Sequence, residues 1–330
     1  MTITHANAER VNGELVVTWR GAPDASVFLS TDPDDAGVDV RAPDRLGVAV
    51  LRLPDPSARY YVHLFAHGDP FVVTAERRLP LEGAHNVRDL GGYPTPDGQT
   101  RWGRVYRSDN PGLLTKNDLE YLGRLGIDLS CDFRGDVEVG EFPSMLSQLE
   151  DVRYERLPIS STGPNNLSAV AEMRAGRLRS FSFDDMAESY GRILDQHAGS
   201  LATVIRHVAD PNQGPLVFNC SGGKDRAGLT AALLLLMLDV DEATVLDDYE
   251  LSSRYLPSDR LNERYEQLAI VGIGRDDVQG MFELQRSTLK RALSAVRTRY
   301  GSIDAYLREH MGLNDGDFAG VHRKLVSGPA

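Results

Sequence analysis

Residues 218–228 read Phe218-Asn-Cys-Ser-Gly-Gly-Lys-Asp-Arg-Ala-Gly228, between the apolar runs Pro215-Leu-Val-Phe218 and Leu229-Thr-Ala-Ala-Leu-Leu-Leu-Leu-Met-Leu238. A short run entering and a long one leaving predict a strand, a tight loop and a helix. Adjacent glycines let backbone N–H groups converge without side-chain obstruction. The first turn of the helix adds unpaired N–H groups and the positive end of its dipole. Together these form a cradle for a tetrahedral anion such as phosphate or sulfate. Arg226 can grip two phosphate oxygens with its planar fork. A cysteine at the mouth of such a cradle is favoured as its thiolate, in line to attack phosphorus. The alternative is a buried structural cysteine beside a turn. A nucleotide-binding loop of the form G-x-x-x-x-G-K-[ST] is excluded. Phe218 stands where its first glycine belongs, and Asp225 follows Lys224.

The rest of the chain bounds the reading. The 330 residues allow one large domain or two smaller ones, and 41 % are apolar, enough for a substantial core. A net charge of −12 argues against broad nucleic-acid or anionic-membrane affinity, since both need basic surface. The N-terminal Met-Thr-Ile-Thr-His lacks a basic segment followed by an apolar one, and the longest apolar run, ending at Leu238, is too short to span a bilayer. The expectation is a soluble, cytoplasmic protein with no transmembrane segment. Two cysteines, Cys131 and Cys220, are too few for a disulfide scaffold. No metal cofactor is expected, because no His/Cys/carboxylate cluster has ligand spacing.

Residues 1–80 predict a small β-rich domain, sandwich-like in the manner of fibronectin or immunoglobulin modules. Asn12-Gly13 signals a turn. Strands are expected at 14–20, 26–30, 48–53, 60–65 and 71–74. The acidic stretch 31–37 reads as a solvated turn rather than a calcium loop. From 81 to 330 the texture is α/β. Thr115 caps a helix ending at Gly126, a buried strand follows at 127–133, and residues 183 to about 209 are helical. Ser302 caps a helix to His310, stopped by Gly312. The polar stretch 159–181 is either a mobile insertion or a plain surface loop. Its Arg174, Arg177 and Arg179 either meet an acidic substrate or form a solvated face.

Cys220-x5-Arg226 between a strand and a helix resembles the signature of the protein tyrosine phosphatase superfamily, here in the form H-C-x-x-G-K-D-R-T-G of its bacterial tyrosine and phosphoinositide branch. Four further segments resemble that family in family order. They are Leu81 to Tyr93 (N-F-R-D-L-G-G-Y), Gly103 to Asp109, Cys131 to Glu138 with Phe142-Pro143, and Tyr300 to Leu307. The resemblance implies a central parallel sheet flanked by helices, and a cysteine-dependent, metal-independent phosphomonoesterase working through a cysteinyl-phosphate. It implies Cys220 as nucleophile and Arg226 as phosphate grip, with Ser221, Gly222, Gly223, Lys224, Asp132 and Arg134 around the substrate. The general acid is either Asp225 in the loop or Asp132 on the neighbouring strand. The expected partner is a phosphorylated protein, lipid headgroup or small metabolite, and not nucleic acid.

Two positions depart from the family. Asn219 stands for its histidine and Ala227 for the hydroxyl residue after the arginine. Both predict slower breakdown of the covalent intermediate, with Ser221 as a partial substitute for the missing hydroxyl. A phosphatase of a biosynthetic metabolite or nucleotide, and an inactive phosphate-binding relative, stay open as alternatives. Lys224 either adds a second positive charge to the rim, suiting a substrate with several phosphates, or neutralises Asp225. Arg88, Asp89 and Arg134 read as buttresses, and His85 as either a mouth or a surface residue. Cys131 is read as an ordinary core thiol, with a redox partnership to Cys220 the alternative.

Overall fold

The computed structural model describes residues 3–22, 24–40, 47–66, 72–160, 172–173 and 175–327. The chain opens with β1 (His5–Val11) and β2 (Glu14–Arg20), joined by Asn12 and Gly13 at φ of 51° and 84°. These positive angles match the twist of a two-residue hairpin. In β2 the alternation works as sequence periodicity demands. Leu15, Val17 and Trp19 point inward, each no more than 5 % exposed. Next come β3 (Ser26–Ser30), β4 (Val38–Asp39), β5 (Val48–Arg52), β6 (Tyr61–Phe65) and β7 (Val72–Ala75). Two antiparallel sheets result, β1-β2-β5 and β4-β3-β6-β7, and residues of both share one hydrophobic cluster. β1 escapes sequence reading because only Ala8 of its seven residues is buried. Within 31–37, Asp32 and Asp35 accept from the backbone of their own turn, as a solvated turn requires.

The second part is built on a five-stranded sheet. Its strands are β8 (Arg88–Asp89), β11 (Val105–Ser108), β12 (Leu129–Asp132), β13 (Arg153–Arg156) and β14 (Leu216–Asn219), in the order β13-β12-β14-β11-β8. All neighbours run parallel except β8, which is antiparallel to β11. β11, β12 and β14 are buried at every residue, as strands covered on both faces must be. A small sheet of β9 (Pro94–Thr95), β10 (Gly98–Thr100) and β15 (Val326–Ser327) lies apart from it in pairing.

The helices are α1 (Lys116–Gly123), α2 (Asp136–Glu141), α3 (Phe183–Gln196), α4 (Ala198–Ala209), α5 (Arg226–Met237), α6 (Glu242–Tyr255), α7 (Ser258–Ala269), α8 (Gln279–Phe282), α9 (Arg286–Tyr300), α10 (Ile303–Ala305) and α11 (Asp315–Leu325). Thr115 closes a reciprocal cap on α1. The helical run expected to 209 breaks at His197 into α3 and α4. α5 buries Ala227 through Leu235 almost completely, so it passes through the core rather than over it. Each leucine so buried contributes about 1.5–3 kcal/mol.

The two parts meet over a buried contact. Arg59 donates to Asp89 at 3.0 Å, with both side chains no more than 3 % exposed. Tyr61, Ala75 and Trp102 form a small apolar cluster beside it. Gln99 and Trp102 both donate to the Val73 carbonyl at 2.9 Å.

Candidate active site

β14 ends at Asn219, and α5 begins at Arg226. The loop between them leaves the carboxyl end of a central parallel strand, where open α/β sheets hold their ligands. Its shape is imposed from outside. Asn86 Nδ2 donates to the Gly222 carbonyl at 2.9 Å. Arg107 Nη2 donates to the carbonyls of Gly223 at 2.7 Å and Lys224 at 3.3 Å. With those carbonyls drawn outward, the N–H groups of residues 221–225 find no acceptor among the described residues. Gly223 has φ of +62°, and a Cβ there would lie 2.7 Å from the Asp109 nitrogen, so only glycine fits.

The clamp itself is anchored. Arg107, fully buried on β11, gives its other nitrogen to Asp248 Oδ2 at 2.6 Å. Asp248, on α6, also accepts from Arg88 at 2.9 Å and Tyr93 at 2.7 Å. Burial would push this carboxyl up, but Arg88 and Arg107 hold it well below the usual carboxylate range. Arg88 thus stands behind the clamp, whereas Asp89 is bonded elsewhere. Asp89 accepts from Arg59 and from the Gly91 and Gly103 backbone.

Cys220 is buried within the main hydrophobic cluster rather than open at a mouth. It is 1 % exposed, within electrostatic reach of the Arg107 and Arg226 guanidinium groups. Arg226 is also largely buried. Its Nη1 donates to Glu138 Oε2 at 2.8 Å and to the carbonyls of Phe133 and Ile159, and its Nη2 to Glu138 Oε1 at 2.6 Å. Its Nε has no partner among the described residues. Burial pushes Glu138 up, but Arg226, the Ser221 hydroxyl and the Gly135 N–H outweigh it and lower the carboxyl to about 2. The Ser221 hydroxyl is committed to Glu138, which corrects the expectation that it replaces the hydroxyl missing at Ala227.

The two acid candidates are sharply different. Asp132 is wholly buried and saturated with donors. Arg134 reaches it through Nε at 3.0 Å and Nη2 at 2.6 Å, Tyr154 at 2.8 Å and Asn219 Nδ2 at 2.8 Å. Asp132 and Arg134, expected beside the substrate, instead stand behind the loop and hold Asn219. Asp225 is partly exposed at the start of α5. Tyr190 donates to its Oδ1 at 2.5 Å, and Tyr190 and Tyr249 share a hydrogen bond of 2.7 Å. Burial first, then the Asp225 charge, pushes both phenols far up, so they stay donors.

Lys224 does not reach the rim. It is 4 % exposed, and its Nζ donates to the carbonyls of Met281 at 2.8 Å and Glu283 at 3.2 Å. It also lies 3.6 Å from Asp225 Oδ1, which supports the neutralising role. In the 159–181 stretch, Arg177 pairs with Glu172 at 2.8 Å and Arg179 donates to the Val271 carbonyl, so neither meets the site. Arg174 and residues 161–171 lie outside the described residues. Cys131 is a core residue on β12, and burial holds its thiol protonated.

Several groups of the site went unread in the sequence. Glu138 and Arg107 sit inside recognised segments, but nothing in their spacing announced that one meets Arg226 and the other the loop carbonyls. Tyr190, Tyr249 and Asp248 carried no signal, since they arrive from α3 and α6 only through packing. Asp109 was also missed. Its carboxyl is 3 % exposed, accepts from the His85 N–H at 3.1 Å and leaves Oδ1 without a partner. Burial raises it to about 6 against the pull of the backbone N–H groups.

A sequence profile described as the tyrosine phosphatase family matches residues 79–327. A protein named as a tyrosine-protein phosphatase in Cupriavidus necator is 29 % identical over 75 % of this chain and 89 % of its own. The triple specificity protein phosphatase PtpB of Mycobacterium tuberculosis is 27 % identical over 71 % of this chain and 94 % of its own. Among solved structures, the core catalytic domain of the PP-IP phosphatase SIW14 from S. cerevisiae aligns with a TM-score of 0.30 and 14 % identity, covering 53 % of this chain and 78 % of that one. The family match spans most of the chain and takes in the whole β14–loop–α5 unit, and so the chain belongs to the tyrosine phosphatase family, as a cysteine-based phosphatase that works without a metal.

Proposed function

We propose that the chain hydrolyses phosphomonoesters through a cysteinyl-phosphate on Cys220. The observation that carries this reading is the run of N–H groups at 221–225, which have no acceptor among the described residues while Asn86 and Arg107 hold the loop carbonyls. A phosphoryl group supplies the acceptors. Arg226 Nε is the remaining donor on a guanidinium that Glu138 already orients. The Cys220 sulfur forms its bond to phosphorus as the ester P–O bond breaks. The loop dipoles and Arg226 meet the charge on the equatorial oxygens, the largest catalytic contribution in such sites.

Asp225 gives its proton to the departing oxygen. Tyr190 fixes the direction of that carboxyl. A water then attacks phosphorus, its proton passes to Asp225, the S–P bond breaks, and phosphate leaves with the thiolate restored. Asp132 is unsuited to this role, because its lone pairs are taken by Arg134, Tyr154 and Asn219. The substrates that fit are phosphotyrosine proteins, phosphoinositide-type headgroups or small phosphorylated metabolites. The triple specificity in the name of the mycobacterial relative is in keeping with breadth. Residues 1–80 serve as a brace on the catalytic part, through Arg59 and Trp102.

A second reading, binding without turnover, is favoured by one observation. Ala227 offers no hydroxyl to the leaving sulfur, and the Ser221 hydroxyl is held by Glu138. Phosphate release from nitrophenyl phosphate separates the two. Wild type turns over, Cys220→Ser loses more than about 10³-fold, and Asp225→Asn loses about 10²–10⁴-fold on an alkyl phosphate whose leaving oxygen needs the proton. Equal release by wild type and Cys220→Ser refutes the enzyme. Phosphate affinity that Arg226→Ala abolishes, with no release by wild type, establishes the binding module.

A further inference from the structure

The loop has no free second cation of its own, since Lys224 is spent on the Met281 and Glu283 carbonyls. Two others stand on α7, which touches segments on both sides of the loop. This helix is seated on the 281–283 segment by Tyr265, whose ring meets Phe282 edge-on at 5.2 Å and whose hydroxyl donates to Glu283 at 3.0 Å. Toward its other end, Arg260 Nη2 donates to the Gly83 carbonyl at 3.3 Å. Gly83 lies just before His85 and Asn86, which hold Asp109 and the Gly222 carbonyl. α7 therefore bridges the walls on either side of the loop.

Arg260 and Arg264 are four residues apart and share one face of the helix. The Arg264 guanidinium lies 5.9 Å over the Phe282 ring. Among the described residues the close partners of the two arginines are a carbonyl and a ring rather than a carboxylate. Both act on Asp109, Arg260 also on His85 and Arg264 also on Asp225, so their charge is felt around the loop. Arg264 is exposed, yet the surrounding walls strip enough solvent that desolvation and the Arg260 charge outweigh the two carboxylates and lower its pKa. Two neighbouring guanidinium groups without a close counter-ion are unfavourable until an anion joins them.

We propose that Arg260 and Arg264 form a second anion-binding point of this site, gripping a phosphate other than the one transferred, so that substrates bearing a second phosphate are favoured over monophosphates. This rests on the phosphatase reading above, and the second phosphate is carried by either a lipid headgroup or a free metabolite.

The test compares kcat/KM for inositol 1,4-bisphosphate with that for nitrophenyl phosphate, in wild type, Arg260→Ala/Arg264→Ala and Arg264→Lys. The double variant is expected to lose about ten- to a hundredfold more on the bisphosphate than on the aryl ester, chiefly in KM, with partial recovery in the lysine variant. An equal change on both substrates overturns the proposal while leaving the phosphatase reading intact. Calorimetric binding of the bisphosphate to Cys220→Ser, with and without the two alanines, judges the arginines even if turnover fails. A drop of about tenfold or more supports the subsite, and unchanged affinity overturns it. Repeating the assay with the headgroup in phosphatidylcholine vesicles names the source. Arginine dependence in either form supports the proposal, and its absence in both rejects it.

Discussion

Glu138 and Asp109 show opposite outcomes of burying a carboxyl beside one loop. Glu138 receives two nitrogens of Arg226 and is ionised down to about pH 2. Removing it frees the Arg226 fork. Glu138→Ala is expected to lower kcat/KM for nitrophenyl phosphate roughly thirtyfold, the equivalent of about 2 kcal/mol for a charged hydrogen bond. Asp109 receives only backbone N–H groups and holds its proton to about pH 6. The unfolded side chain ionises near pH 4, so between about pH 4 and 6 the native state binds a proton that the unfolded state has lost. The stability this group supplies is present at low pH and declines as pH rises through that window, by up to about 3 kcal/mol. Urea unfolding across pH 4–7 should show this decline, and Asp109→Asn should flatten it.

At the scale of the element, the β14–α5 loop is a shape held by its surroundings. Arg107 grips two of its carbonyls and is itself gripped by Asp248. Arg107→Met leaves the buried Asp248 with one arginine instead of two. It should cost about 3–5 kcal/mol of stability, read by urea denaturation, together with most of the turnover. Gly223→Ala tests the backbone directly. A Cβ at φ of +62° and 2.7 Å from the Asp109 nitrogen forces the loop to shift. Turnover should fall by at least about tenfold, with a stability loss of about 1–3 kcal/mol. Wild-type rates in this variant would show that the loop shape is not what positions the phosphate.

Across the whole molecule, the β-rich N-terminal part and the α/β part are joined by a contact that excludes water. Arg59 over Tyr61 and paired with Asp89 is the least replaceable piece, because losing either partner leaves a buried charge. Arg59→Met should cost about 3–5 kcal/mol. Limited proteolysis should then release the segment near residues 76–80, whereas the wild-type chain resists. Cleavage at equal rates in both would count against the brace. Among the described residues no helix is long and apolar enough to cross a membrane.

Local patterns carried a great deal. Alternation in Leu15, Val17 and Trp19, the Asn12-Gly13 turn, the Thr115 cap and the strand–loop–helix around Cys220 were all legible, because each depends on neighbours within a few residues. The Cys220-x5-Arg226 spacing likewise raised the expectation of an anion cradle. What only the tertiary structure decided was the company each group keeps. The sequence could not choose between Asp132 and Asp225, because the difference lies in Arg134, Tyr154 and Asn219 closing on one while Tyr190 meets the other. Nor could it show Lys224 turned onto the Met281 carbonyl or Arg107 clamping the loop from β11. Apart from Arg134, two residues from Asp132, those partners lie 22 to 116 residues away along the chain, and only packing brings them within hydrogen-bond reach.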